Sequence, residues 1–381
     1  MHCSPVEIEI APEEETGVLL DELTLAVQWQ RPCLVIAVYR SEFRRRSLQD
    51  QIAQALSRLG QASAAFIINR DRADVPVLLS MDPDHSHTVY HVSGLGWGGG
   101  RGGREAYRAL NLHREYFVDH QVRAIFWLTR SEAALLPRCA PDFWAFRHRV
   151  FEFMGLPDGA RTCRETGELV LEPWQPPKGS RAVEDEIATQ EQLLAGLPEN
   201  PGSRSMRLEV HGRLACLHHQ AGGHAAALRH VRLGTQMARG LGDMAAQVSF
   251  LNEKGIIELS RRQFDRALGA FEEARSMDGS HAATWGNLSV ALLRSGDFEN
   301  AVHAAEQATR FAPEKGDAWL LRGRVLHDLG LFEEAASAYR KAARLVPGDG
   351  RPWAFLGDLY QEWGNSRLSA RCLRKSLRLQ S

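Results

Sequence analysis

Along the first 155 residues the apolar positions fall in short runs. "CLVIAVY" (33–39), "AAFIIN" (64–69), "HTVYHVS" (87–93), "VRAIFWLT" (122–129) and "RVFEF" (149–153) are rich in β-branched and aromatic residues. Their length and make-up predict buried strands. Between them apolar residues recur at helical spacing, which predicts amphipathic helices near 44–59, 104–119 and 131–148. Strands alternating with helices predict a parallel sheet with helices on its faces. Residues 156–182 are rich in Pro and Gly and read as a linker, the first place a protease would cut. From residue 183 to 381 the spacing is helical, beginning with "EIATQEQLLAGL" (186–197).

That second part repeats. Trp285, Trp319 and Trp353 lie 34 residues apart, and the rest of the pattern moves with them. From Gly316 the order is Trp319, Gly323, Gly330, Phe332, Ala335, Tyr339, Ala342 and Pro347. One period earlier stand Trp285, Leu288, Gly296, Phe298, Ala301, Ala308 and Pro313; one period later, Trp353, Leu356, Gly357, Tyr360 and Gly364. Gly255, Phe264, Ala267, Phe271 and Ala274 keep the register with Leu251 in place of the tryptophan. Small residues fit where two helices of a hairpin cross closely, and Gly330 ends a first helix where a left-handed residue is needed. Pro347 stops a second helix because it lacks the N–H needed to continue.

Period and residue order resemble the tetratricopeptide repeat family. The regular repeats are expected at about 248–281, 282–315, 316–349 and 350–381. A longer, degenerate one is expected at 205–243, with its turn at Gly222 and Gly223 and its small residue at Ala227. The resemblance implies an α-solenoid that binds a partner protein on the concave face of its first helices. The matching positions are Asn252, Arg294, Asp317, Arg324, His327, Asp358, Gln361 and Glu362. Their signs are mixed, so a segment with mixed charges fits better than a bare terminal carboxylate. The last repeat departs from the pattern: Ser369, Leu373 and Ser376 replace alanine, aromatic and alanine, and its closing helix is basic, as a capping helix with a solvated face would be.

The N-terminal α/β unit lacks the parts that phosphate chemistry needs. Its first strand runs into "YRSEFRRRSLQDQIAQAL", without the glycines and lysine of a phosphate-binding loop, and no G-K-[ST] occurs in the chain. The strands "TVYHVSG" and "IFWLT" end without an acid for magnesium. The stretch "SGLGWGGGRGG" (93–103) does match G-x-G-x-x-G at Gly94, Gly96 and Gly99. It follows the third strand rather than the first, and the next strand ends in Thr129 and Arg130 where a dinucleotide site wants an acid. The expectation is a mobile loop at the edge of the sheet, with Trp97, Arg101 and Arg104 as candidates for contacting a partner.

Residues 108–153 carry "RALNLHREYFVDHQVRAIFWLTRSEAALLPRCAPDFWAFRHRVFEF". The "LN..RE" helix falls on Leu110, Asn111, Arg114 and Glu115, the "FWL" strand on 126–128, and "APDFW..R..VFEF" on 140–153. These pieces resemble bacterial proteins in which a degenerate STAND-type NTPase module precedes tetratricopeptide repeats. The resemblance covers roughly residues 20–155. It implies a P-loop-NTPase-like fold without Walker motifs, acting as a recognition or coupling module in signalling and biological-conflict systems. From the residues alone, the aromatics of this block read as core. Asp142 is placed to cap a helix, and Arg147 or Arg149 to pair with Glu152.

The remaining features narrow the class further. With 46 Lys and Arg against 47 Asp and Glu, the net charge is −1, which offers no general attraction for nucleic acid or anionic membranes. Six scattered cysteines make neither a zinc motif nor a disulfide framework and fit a reducing compartment. The N-terminal "MHCSPVEIEIAPEEE" is not patterned as a signal peptide, and no window reads as a membrane span. "DPDHSH" offers Asp82, Asp84, His85 and His87 as ligands but sits where a polar turn is expected; His218 and His219 point to different sides of one helix. Cys139 and His148 lack an oxyanion loop. No catalytic residue, metal or cofactor is assigned. The sequence predicts a cytoplasmic two-part protein, not an enzyme, made of residues 1–155 and 183–381, and the resemblance implies that it is an adaptor of a bacterial defence or stress-signalling system. Its expected partner is a co-encoded protein, such as an effector protease, its substrate or a transcription factor or other regulator. The alternatives are a divergent nucleotide-binding switch or NTPase using loop 94–103, and a plain scaffold.

Overall fold

A computed structural model describes residues 12–156, 181–198 and 203–380. Most of the 156–182 linker therefore lies outside the described residues. The chain divides into two compact units, Met1–Asp158 with Leu329–Glu333, and Gly159–Asp328 with Glu334–Ser381.

The first unit is built on five strands: β1 (Cys33–Tyr39), β2 (Ala62–Ile67), β3 (Thr88–Ser93), β4 (Arg123–Thr129) and β5 (Arg149–Phe153). All pairings are parallel and the order is β2-β3-β4-β1-β5. The register sets Val35 beside Ile125, Ala37 beside Trp127, and Ile36 beside Val150. Because side chains alternate, each interior strand feeds two cores. Leu34, Ile36, Val38, Tyr90, Val92, Ala124, Phe126 and Leu128 face one layer of helices. That layer holds α3 (Val75–Ser80), α4 (Arg104–Leu112), α5 (Glu115–Asp119), α6 (Arg130–Cys139) and α7 (Pro141–Phe146). Cys33, Val35, Ala37, Tyr39, Ile125, Trp127, Phe151 and Phe153 face the other layer, α1 (Pro12–Gln28) and α2 (Glu42–Arg58).

Two predicted helices are broken. The one expected at 131–148 splits at Ala140, which is held at φ −142°. Pro141 follows, and a residue before proline is driven away from helical angles. The one expected at 104–119 splits between Leu112 and Glu115. Helices α1 and α3 were not foreseen, although Leu19, Leu23 and Ala26 in α1 recur at helical spacing and are fully buried.

The described residues of the second unit form helices joined by turns. Helix α8 (Arg181–Gly196) is followed by five hairpins: α9 (Arg204–Gln220) with α10 (His224–Leu241), α11 (Met244–Ser260) with α12 (Phe264–Met277), α13 (Ala282–Ser295) with α14 (Phe298–Phe311), α15 (Gly316–Asp328) with α16 (Phe332–Leu345), and α17 (Arg351–Glu362) with α18 (Ser366–Gln380). The repeat signature has a direct packing cause. A Cβ on Gly255 would stand 2.3 Å from the Phe271 ring, one on Gly323 2.5 Å from Tyr339, and one on Gly357 2.6 Å from Leu373. A bare backbone in the first helix lets the large side chain of the second lie against it. The repeat at 282–315 reaches the same end differently, with Ser289 and Ala305 both buried at the equivalent positions.

Candidate functional site

An open parallel sheet collects ligands beyond the C-terminal ends of its strands. In this unit those ends carry the β1–α2 turn, the glycine stretch after β3 and the β4–α6 turn. The β1–α2 turn, where a phosphate-binding loop would sit, is filled by side chains. Glu42 is 2% exposed; its carboxylate accepts the Tyr39 hydroxyl at 2.6 Å and the Arg45 Nε at 2.8 Å. Burial, then the Glu42 charge, pushes the Tyr39 phenol well above its ordinary value. A carboxylate and a guanidinium satisfy one another here.

The glycine stretch is likewise engaged from within. It folds into two short 3-10 turns, Leu95–Trp97 and Arg101–Gly103, leading into α4. Gly94, Gly99, Gly100, Gly102 and Gly103 all have positive φ, which explains the glycine density. β3 lies inside the sheet, with β2 outside it, so the loop is not at the sheet edge as the sequence suggested. Nor does it stand off the body. A Cβ on Gly98 would fall 2.2 Å from that of Ala106, and one on Gly103 2.1 Å from the Leu95 carbonyl. The Gly96 N–H donates to Glu132 Oε1 at 2.7 Å. Glu132 is the third residue of α6 and closes a capping box with Thr129: its Oε2 accepts the Thr129 N–H at 2.9 Å, and Thr129 Oγ1 accepts the Glu132 N–H. Loss of hydration holds this carboxyl above its ordinary value, and the N–H donors from Gly96 and Thr129 oppose the shift. One carboxylate thus gathers backbone N–H groups from both turns, the groups that would otherwise greet an anion. Of the loop candidates, Trp97 is partly buried beside Gly94, while Arg101 and Arg104 are exposed.

Behind these turns, Trp127 Nε1 donates to His91 Nδ1 at 3.0 Å and the two rings stack. This fixes Nδ1 as the acceptor and the ring as neutral. Burial, then the Arg45 charge, brings His91 down to about 4.

The motif residues of 108–153 meet in space. Asn111 Oδ1 accepts the Asp142 N–H at 2.8 Å and its Nδ2 donates to Asp142 Oδ2 at 3.1 Å, with Arg114 3.7 Å from the same carboxylate. Asn111, rather than Asp142, therefore caps α7. Arg147 lies 3.6 Å over the Trp144 ring and Arg149 3.7 Å from Glu22, so neither takes the role against Glu152 expected of it.

In the helical unit, several partner-binding candidates are tied to other residues of the array, and one pair, His327 and Glu362, to each other. Asn252 is buried and bonds Thr284 Oγ1 at 2.7 Å and the Asn287 amide at 3.1 Å, linking α11 to α13. Arg324 donates to Asp328 at 3.1 Å and lies over Phe355. His327 is buried, 3.6 Å from Glu362. Asp317 accepts from Arg351 at 2.7 Å. Arg294 is half-buried, and Asp358 and Gln361 are exposed. The sequence did not single out Asp328, Thr284, Asn287 or Arg351. Arg351 was within reach, since it lies one repeat after Asp317.

The minor constellations are structural in their contacts. Asp82 Oδ1 accepts the Asp84 N–H at 3.0 Å and the Asp82 carbonyl meets His85 Nδ1, forming a turn. His148 Nδ1 accepts the Leu34 N–H at 2.9 Å, and His219 Nε2 meets Ser260 Oγ at 2.8 Å. Among the described residues no group of three or more His, Cys, Asp or Glu is placed to hold a metal, and no helix is long and apolar enough to cross a membrane.

No curated protein matches the chain. Solved structures align with part of it. BtubC from P. vanneervenii is 17% identical over 53% of this chain and 92% of its own, with a TM-score of 0.45. MamA from Desulfovibrio magneticus RS-1 is 18% identical over 45% and 94%, with a TM-score of 0.37. YrrB, described as a TPR protein with an unusual peptide-binding site, is 16% identical over 45% and 85%, with a TM-score of 0.33. The family model for the tetratricopeptide repeat matches residues 252–310 and 287–350. The helical unit therefore carries tetratricopeptide repeats across 252–350.

Proposed function

We propose that the protein is a non-enzymatic adaptor: its repeats hold a partner protein, and its α/β unit is an NTPase-like module, of the degenerate STAND type, that no longer binds nucleotide. The observation that carries this reading is the Glu132 carboxylate on the Gly96 and Thr129 N–H groups. A negative charge held there repels a phosphate and consumes its donors. At the β1–α2 turn the buried Glu42 carboxylate, paired with Arg45, adds a second negative group where a phosphate would sit. The repeats supply stacked helices of the kind that present extended binding surfaces. The resemblance of 108–153 to bacterial conflict proteins supports a cytoplasmic defence or stress-signalling setting. It also supports a co-encoded partner: an effector protease, its substrate or a regulatory protein. The test is co-purification with the products of neighbouring genes. A complex that survives gel filtration supports the adaptor reading, and failure with every neighbour counts against it.

One observation favours a second reading, a nucleotide-responsive switch. The glycine stretch lies beyond the C-terminal end of an interior strand, the right place for a ligand in such a sheet. Calorimetry with ATP, GTP and dinucleotides separates the two. Micromolar binding abolished by Gly96→Val establishes the switch; its absence in both wild type and Glu132→Gln leaves the adaptor.

A further inference from the structure

The second helices of the last two repeats, α16 and α18, flank a recess of about 510 Å³, within the range of ligand pockets. Its cations are Arg340, Arg371, Arg374, Lys375 and Arg378, and no carboxylate lines it. Helix α18 has no acidic residue at all. Between the cations lie Trp353, Leu356 and Leu368, with Leu356 almost fully buried as the floor. The cations stand on α16 and α18 and the floor residues Trp353 and Leu356 on α17, and none of them is among the partner-binding candidates named above.

Four of these five cations, Arg340, Arg371, Arg374 and Lys375, are only lightly engaged. Arg340 donates to the Tyr360 hydroxyl, Arg374 Nε to its own helix at Ala370 O, and Lys375 Nζ sits 3.7 Å over the Trp353 ring. Arg371 is exposed and has no hydrogen bond or ion pair among the described residues. Five like charges around one recess repel each other, and a ligand that brings negative charge relieves that repulsion.

We infer that this groove binds an acidic segment of a partner protein, one whose apolar side chains enter between α16 and α18 while its carboxylates meet the rim. The inference rests on the adaptor reading for the existence of a partner and adds the chemistry of what is bound. Three features select a peptide. The apolar groups are recessed between two helices, where a protruding side chain reaches and a flat bilayer does not. The cations ring one pocket instead of forming the long track that a phosphate backbone follows. The chain as a whole is close to neutral, so it has no broad field for nucleic acid.

The test is fluorescence anisotropy of the full chain with a labelled 16-residue peptide, alternating Glu-rich turns with Leu at helical spacing. A single-stranded oligonucleotide and phosphatidylserine vesicles serve as competing probes. Micromolar peptide binding is expected. It should weaken at least tenfold when Arg371 and Lys375 are both changed to Glu, about threefold in Arg371→Gln, and not at all in Arg266→Glu on α12. Melting curves confirm that the variants fold, and Arg371→Gln carries the test if the double variant does not. No peptide binding, binding untouched by these changes, or tighter binding of the oligonucleotide or vesicles overturns the inference. A neighbouring-gene partner that binds the Arg371→Glu, Lys375→Glu variant as well as wild type also overturns it, while leaving the adaptor reading in place.

Discussion

Glu132 Oε1 accepts the Gly96 N–H at 2.7 Å across 36 residues of sequence, while its Oε2 accepts the N–H of Thr129, the residue that caps α6. One side chain therefore ties the turn after β3 to the turn after β4. Removing it leaves donors in both turns without an acceptor.

Glu132→Ala is accordingly expected to lower stability by about 2 kcal/mol, the sum of a lost cap and a stranded N–H. Glu132→Gln keeps one carbonyl oxygen and should lose about half as much. Denaturant unfolding gives the magnitudes, and hydrogen exchange should rise selectively over residues 94–103. An unchanged midpoint with unchanged exchange would show that the loop is held by its packing alone.

His91 predicts an acid-sensitive core. Its folded-state value is about 4 against an ordinary 6.5, because burial penalises the charged ring. The unfolded chain takes up the proton first as pH falls, so stability is complete above 6.5 and declines between 6.5 and 4. The full effect is about 3 kcal/mol. His91→Gln keeps an acceptor for the Trp127 N–H and does not titrate, so its stability should depend less on pH across that window. His230, also brought down to about 4 by burial and its histidine neighbours, leaves part of the slope in place. Equal slopes for wild type and His91→Gln would refute the assignment.

What could be read from the sequence follows the range of the forces involved. Strands β1 and β5 and the repeat phase are local patterns: Cys33–Tyr39 is buried at every position, and Gly255 and Phe271 lie in adjacent helices of one hairpin. Thr129 and Glu132 form a visible capping motif, yet nothing in the sequence says that the same carboxylate reaches Gly96. The strand order has the same character. β3 is interior because β2 crosses to the far edge, a tertiary choice that left the loop wrongly placed at the sheet edge. Among the positions taken from the repeat family, Asn252 and His327 are not free side chains, since both are buried in contacts within the array.

Arg262 stands where Gly296 and Gly364 end the first helices of later repeats, and it adopts φ 59° against their 88° and 90°. A side chain in this left-handed region costs about 1 kcal/mol. Arg262→Gly is therefore expected to stabilise the repeat unit by up to about 1 kcal/mol, offset in part by the freedom glycine gains when unfolded. A thermal melt resolves the sign, and a lowered midpoint would mean that the arginine's own contacts outweigh the backbone strain.

The pairing of Gly323 with Tyr339 can be tested as a unit. Gly323→Ser puts a side chain where a Cβ already lies 2.5 Å from the Tyr339 ring, and overpacking of this kind costs about 1–3 kcal/mol. Tyr339→Ala opens a cavity and costs about 3–5 kcal/mol. The repeat at 282–315 carries Ser289 and Ala305 at the same two positions, both buried. The double variant Gly323→Ser, Tyr339→Ala recreates that pair. Its loss is expected to be at least about 1 kcal/mol smaller than the two single losses added together. Strict additivity in a double-mutant cycle would mean that the two positions do not compete for the same space, and the packing account of the repeat signature would fail with it.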